Sequence, residues 1–558
     1  MSQPQSPADP SASVPDAVPA PDAVLAPGAV PAAGAVPAAD AVPPPVVGSN
    51  EAAQRIGHGY DTEAAAVTLG AVVVDGSCDP SALVRIPLAM FNRHGLVAGA
   101  TGTGKTKSLQ VIAEQLSDAG VPVMMPDIKG DLSGLVAPGS SNDKIVQRAK
   151  DTADDWQAEA FPVEFLALAG QGTGIPVRAT IDSFGPILLS KVLGLNDTQE
   201  STLGLIFHWA DGQKMPLLDI KDLREVISWL TSAQGKADLG QLGGVSSSTA
   251  GVILRAVTNL EAQGGDQFFG EPQLDVMDMI RTNSGGKGVI SLLEVGNLQN
   301  RPALYSTFVM WLLAELFEVL PEVGDSDKPK IVFMFDESHL LFTDASKAFL
   351  QAVEQTVKLI RSKGVGVFFC SQLPTDIPDS VLSQLGARVQ HALRAFTPDD
   401  QQALTRTVKT YPKTSDYELA SALTSLGTGE AIVTVLSEKG APTPVAWTRV
   451  RPPRSLMAPA DASLVTQTIS SSPLTTKYGQ PIDRESAYEL LTKRLADSTA
   501  AAAQAANGGG GDDRPAQQTP AAKGGGFLGG FFKSAAGRSL ITSAVGALTR
   551  GVFGNRRR

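Results

Sequence analysis

The sequence predicts an α/β protein whose sheet is mainly parallel and covered by helices on both faces. Short apolar runs ending in polar or turn residues alternate with stretches of helical periodicity, which is the pattern of buried parallel strands. One run empties into a glycine-rich loop that opens a helix, "HGLVAGATGTGKTKSLQ" over residues 94–110. Another, "KIVFMFDE" over 330–337, ends in two adjacent acids.

In chain order, residues 1–50 are almost entirely Ala, Pro, Val, Asp and Ser. Such a composition buries too little side chain to offset its ordering entropy, so a disordered arm is expected. It has neither the basic start nor the continuous apolar segment of a secretory signal. Residues 51–455 read as the main domain. Strands are expected at "GLVAG" (95–99), "VPVMMPD" (121–127), "GVISLLEVG" (288–296), "KIVFMFDE" (330–337) and "VGVFFCSQ" (365–372), with helices at 105–118, 302–320 and 346–363 between them. Residues 141–285 form a mainly helical insertion punctuated by glycine turns. After "RVQHALRAF", the runs "EAIVTVL" and "PVAWTRV" flank "SEKGAP" as a hairpin. Residues 456–497 are a C-terminal extension with an amphipathic helix at 482–497, 498–525 a flexible linker, and 526–558 a basic apolar helical tail.

Composition narrows the class. Hydrophobic residues make up 43% of 558, enough for a sizeable core. No apolar window reaches the length of a membrane span. Two lone cysteines, Cys78 and Cys370, exclude a disulfide framework and place the chain in a reducing cytoplasm, and no metal-ligand spacing is present. The net charge of −11 disfavours non-specific nucleic-acid binding, which needs local Lys and Arg. The tail is the exception, with seven cations and no acid from Lys523 onward. It suits packing on another subunit, an acidic membrane surface or DNA phosphates.

Gly99-Ala100-Thr101-Gly102-Thr103-Gly104-Lys105-Thr106 fits G-x-x-x-x-G-K-[ST] at every fixed position. Glycines let backbone N–H groups turn inward around phosphate oxygens, and the following helix adds its positive end. Lys105 then reaches the outer phosphates of ATP and the Thr106 hydroxyl ligates Mg²⁺. Asp336 is placed to hold the same Mg²⁺, and Glu337 to polarise an attacking water. A water-activating Glu favours hydrolysis over transfer, which argues against a metabolic kinase. Gln372, at the end of the next strand, is placed to sense the terminal phosphate or position water. Two accounts of Arg361 stand side by side on spacing alone. With Lys363 it suits a helix C-terminus capped by Gly364, and it equally suits a finger reaching a neighbouring subunit's nucleotide.

Taken together, "RHGLVAGATGTGKT", "MPDIKGDLSGL", "FFGEP", "LPEVGDSDKPKIVFMFDESHLLF", "LIRSKGVGVFFCSQLPTDIPDSVLSQLGARVQHALRAFTP" and "LGTGEAIVTVL" resemble the bacterial HerA-like P-loop ATPases of the YjgR type, within the HerA/FtsK branch. The resemblance runs from about residue 60 to 455. It implies a RecA-like core, a homo-oligomeric ring (usually a hexamer), ATP hydrolysis at subunit boundaries and movement along double-stranded DNA. It makes Lys105 and Thr106 the Walker A pair, Asp336 and Glu337 the Walker B pair, and Gln372 the sensor. It also favours Arg361 as the trans-acting arginine, Arg93 as a phosphate-facing arginine in cis, and Asp127 with Lys129 as a polar pair at the second strand's end.

Two departures qualify it. About 40 residues separate the arm from the loop, too few for the β-barrel with which HerA translocases dock a nuclease. The sensor segment reads Ser371-Gln372-Leu373-Pro374, where Thr before the Gln and a polar residue after it are more usual. With the acidic balance, the first departure leaves an alternative, a nucleotide-gated assembly or regulatory ATPase acting on a protein partner.

Overall fold

The computed structural model describes residues 47–168, 172–238, 244–295, 302–324, 326–342 and 347–508. The arm up to residue 46, the linker beyond 508 and the tail lie outside them. A single 12-stranded sheet organises the rest. Its strands are β1 (Ala66–Val74), β2 (Ser77–Pro87), β3 (Gly95–Ala98), β4 (Val123–Asp127), β5 (Val163–Leu168), β6 (Ile175–Val177), β7 (Ile290–Glu294), β8 (Ile331–Phe335), β9 (Val365–Ser371), β10 (Ala387–Gln390), β11 (Glu430–Thr434) and β12 (Ala446–Val450). They run β2-β1-β12-β11-β10-β3-β9-β8-β4-β7-β5-β6 across the sheet. From β10 to β6 every pairing is parallel, whereas β2-β1-β12-β11 and the junction of β11 with β10 are antiparallel.

Side chains alternate between two cores, as strand pleating requires. Leu96, Phe333, Phe335 and Phe369 enter one core, while Val97, Val332, Met334 and Phe368 enter the other. The first core also takes in the helices Pro302–Val319 and Lys347–Ile360 and the insertion's helices. The second takes in Lys105–Asp118, whose Leu109, Ile112, Ala113 and Leu116 recur at helical spacing and are fully buried. A third, smaller core gathers Leu393, Leu404, Tyr411, Leu423 and Ile432 under β11.

The insertion is not wholly helical: β5 and β6 within it extend the parallel sheet beyond β7. A helix, Val47–His58, takes in the last residues assigned to the arm. The β1-β2 hairpin then continues the main sheet through β12, so the described residues ahead of the loop form no separate barrel. The C-terminal extension packs on the body. Gln110, in the helix after the loop, donates its side-chain amide to Leu456 O at 3.1 Å, and the Ser472 hydroxyl donates to Glu164 at 2.6 Å. The last described helix, Ala487–Gly508, lies against Ile220–Thr231, where Asp222 accepts from Tyr488 N–H at 2.9 Å.

Candidate nucleotide site

Strand register assembles the site. Ala98 pairs with Ser371 on one side of β3 and with Gln390 on the other, and Phe335 pairs with Phe369. The residues that follow, Gly99, Gln372, His391 and the Asp336-Glu337 pair, therefore emerge along one rim. The acidic strand is two places from β3, about 10 Å at an interstrand spacing of about 4.8 Å.

The loop is held from below. Gly99 N–H donates to Ser371 O at 3.2 Å and Ala100 N–H to Ala392 O at 2.9 Å. Gly99 has φ 151°, and a Cβ there would lie 2.5 Å from His391 Cβ. Gly104 has φ 116°, and a Cβ there would meet the Gly429 amide at 3.0 Å, so neither position admits a side chain. Lys105 Nζ donates to the carbonyls of Gly99 and Ala100 at 2.7 and 3.3 Å, folded over its own loop. Among the described residues, no backbone carbonyl accepts from the N–H groups of Gly102, Gly104, Lys105 and Thr106. Unpaired amides at a helix start constitute an anion cradle.

At the other wall Asp336 is buried. Burial, with Glu337's charge adding, holds its carboxyl above the usual range, against the opposing effects of the Cys370 thiol hydrogen bond and the Lys129 charge. Glu337 stands at φ 47°, a left-handed conformation that costs a non-glycine residue about 1–3 kcal/mol. Its Oε1 accepts from Lys129 Nζ at 3.0 Å, while the buried Oε2 makes no hydrogen bond among the described residues and has His339 Nδ1 3.5 Å away. Nor has the hydroxyl of Tyr305, which is fully buried and feels the charges of both acids. Ser338 donates its hydroxyl to Cys370 O at 2.9 Å, tying the acidic turn to β9. Hard oxygens and orphaned polar atoms at this wall suit a magnesium ion and its waters.

The remaining sequence candidates divide by position. Gln372 is exposed on the rim beside Gly99. Asp127 is on the rim but engaged: its carboxylate accepts from the backbone N–H groups of Lys129, Gly130 and Leu132 at 3.3, 2.7 and 3.0 Å, which shapes the turn after β4. The structure does not bring Arg93 to the loop. It precedes β3, whose four residues at about 3.3 Å each put its backbone well beyond side-chain reach of the phosphate cradle. Arg361 also lies at the sheet's opposite rim, ahead of β9 and near His94. The Gly364 cap is present at φ 74°.

Sequence reasoning passed over His391 and Gly429. Fully buried His391 has Nδ1 2.9 Å from Glu430 O, so Nδ1 carries the proton, and Nε2 accepts from the Ser108 hydroxyl at 2.9 Å. Burial pushes its pKa down to about 4, with the Lys105 charge adding and the Glu430 carbonyl opposing, so it braces the loop as a neutral ring. Gly429 N–H donates to Thr103 O at 2.9 Å, and Arg148 Nη1 holds the Gly429 carbonyl at 3.0 Å.

Comparison with known families turns on the same segment. The description "Helicase HerA-like C-terminal" matches residues 74–558. The chain belongs to the HerA-like helicase C-terminal family. It is thus an ATPase of the HerA-like type. No curated protein matches it. Among solved structures it is similar to the bacterial conjugative coupling protein TrwBdeltaN70 in its unbound monoclinic form. That match has 15% identity over 74% of this chain and 94% of that one, with a TM-score of 0.46. Plasmid coupling protein TrwB in complex with ADP and Mg2+ gives 16%, 72%, 94% and 0.46. VirB4 of Thermoanaerobacter pseudethanolicus gives 14%, 72%, 98% and 0.46. No helix among the described residues of this HerA-like chain is long and apolar enough to cross a membrane.

Proposed function

We propose that this HerA-like protein is a Mg²⁺-dependent ATPase that assembles as a ring, a hexamer in the usual case, and couples hydrolysis to translocation along, or remodelling of, double-stranded DNA. The observation that carries the reading is the rim, where an amide cradle at 99–106 faces a buried carboxylate and a second acid with an unsatisfied oxygen. Lys105 and the loop amides bind and orient the triphosphate. Thr106 and Asp336 would hold magnesium, which would supply neutralisation of the negative charge on the phosphates. Glu337 accepts the proton of the attacking water, and Gln372 orients that water or the phosphate it strikes. Arg361 supplies charge to a neighbouring subunit's site.

The test is native mass with and without a non-hydrolysable ATP analogue, followed by ATP turnover with and without duplex DNA at low salt. A nucleotide-dependent increase in mass and faster turnover on DNA are expected. Turnover indifferent to DNA removes the translocase part and leaves the ATPase part, and stimulation by a co-purifying protein favours the regulatory alternative.

Lys129 governs the basal rate in this reading, because its ion pair occupies one oxygen of the catalytic acid. Exposed pairs contribute about 0.2–1 kcal/mol. Lys129→Ala is therefore expected to raise DNA-free turnover by up to about fivefold with nucleotide affinity unchanged. Steady-state kinetics check this, and a fall in rate contradicts it.

A further inference from the structure

The site's two walls fix which way a nucleotide lies. Gln372 and the acidic pair stand on the β9-β8 side of β3, so the terminal phosphate is on that side. The nucleoside end must extend towards β10, the strand on β3's other edge. The segment leaving β10 at this rim is 391–397, and it is joined to the phosphate loop at two points. Ala392 O accepts from Ala100 N–H at 2.9 Å, and Arg394 Nη2 donates to Thr101 O at 3.4 Å. Two residues further on comes Phe396, 86% exposed, whereas no other exposed large apolar side chain among the described residues passes 55%.

That ring is displayed on a fixed support. Phe396 N–H and Thr397 N–H both donate to Asp400 Oδ2, at 3.1 and 2.9 Å. The Thr397 hydroxyl returns an acceptor to Asp400 N–H at 3.1 Å, closing a capping box at the start of the helix Pro398–Val408. Gln401 Nε2 holds Ala395 O at 3.0 Å on the other side. A large apolar ring anchored at both flanks and left in water beside a nucleotide loop is suited to stacking.

We propose that Phe396 is the platform on which the purine base of the bound nucleotide stacks, with the Arg394 guanidinium alongside. The proposal rests on the reading of residues 99–106 as the phosphate site. Phenylalanine has no donor or acceptor, so the platform reads the face of the base and not its edge. Adenine and guanine nucleotides then bind comparably, and pyrimidine nucleotides, with the smaller ring, bind less tightly.

The test is calorimetry on the full-length chain with ADP, GDP, CDP and inorganic tripolyphosphate, which has no base. Wild type is expected to bind ADP and GDP within about threefold of each other and CDP more weakly. Phe396→Ala should weaken ADP roughly ten- to hundredfold and leave tripolyphosphate unchanged, and Phe396→Trp should restore ADP. Unchanged ADP affinity in Phe396→Ala overturns the platform alone, as does equal loss of ADP and tripolyphosphate, which marks damage to the loop. A smaller native mass with ADP binding intact makes Phe396 a subunit contact and overturns the platform too. If wild type binds neither ADP nor tripolyphosphate, the phosphate-site reading itself falls.

Discussion

Glu337→Gln is expected to bind nucleotide as tightly as the parent and to turn it over about 10²–10⁴-fold more slowly, the usual contribution of a positioned general base. The amide is the same size as the carboxylate and can still accept from Lys129 through its oxygen. The turn at φ 47° need not change, because the strain there belongs to the backbone. What disappears is the basicity of an acid beside buried, raised Asp336. Equilibrium binding of a non-hydrolysable analogue and single-turnover hydrolysis separate the two effects. Lys105→Ala is the contrasting variant, since the lost cation also leaves the Gly99 carbonyl without its donor, and there binding itself fails. Parental turnover in Glu337→Gln would remove the acid from the chemistry.

The parts of this site legible in the sequence were those with local signatures. The loop announces itself because glycine is obligatory where φ is positive, and the helix at 105–118 follows from apolar spacing that continues straight out of it. Strands β3, β4, β7, β8 and β9 are continuous apolar runs bounded by polar residues, so their existence and order along the chain could be read. Their order across the sheet could not, because nothing in "VGVFFCSQ" says that β9 lies between β3 and β8. β5 and β6 were hidden among helices, where a run as short as "VEFLAL" fits either structure. His391 and Gly429 brace the loop from 283 and more residues away, and such contacts leave no periodic mark. Asp127 shows the converse: a polar strand end matched a site position, yet its carboxylate is taken up by the amides of its own turn.

The largest effect expected away from the acidic pair belongs to Arg361, and the sheet determines how it must act. The seven residues of β9 separate Arg361 from the nucleotide rim of its own chain, about 23 Å at 3.3 Å each. No side chain spans that, so an Arg361 that touches phosphate must touch a neighbour's. A trans-acting arginine is worth about 10³–10⁵ in rate, and Arg361→Ala is expected to lose turnover on that scale while still binding nucleotide and forming the same assembly. The helix-cap account predicts instead a modest loss of stability, since a cation at a helix end contributes only about 0.3–1 kcal/mol, with turnover nearly intact. Mixing decides between them. Arg361→Ala subunits keep a complete site and Glu337→Gln subunits keep a complete finger, so each is inactive alone. Mixed oligomers should regain turnover wherever a Glu337→Gln subunit presents its arginine to an Arg361→Ala site, at about a quarter of the interfaces for random equal mixing. Recovery measured against mixing ratio should follow the product of the two fractions. No recovery at any ratio, with mixed assembly demonstrated by native mass, would place Arg361 outside the neighbouring site.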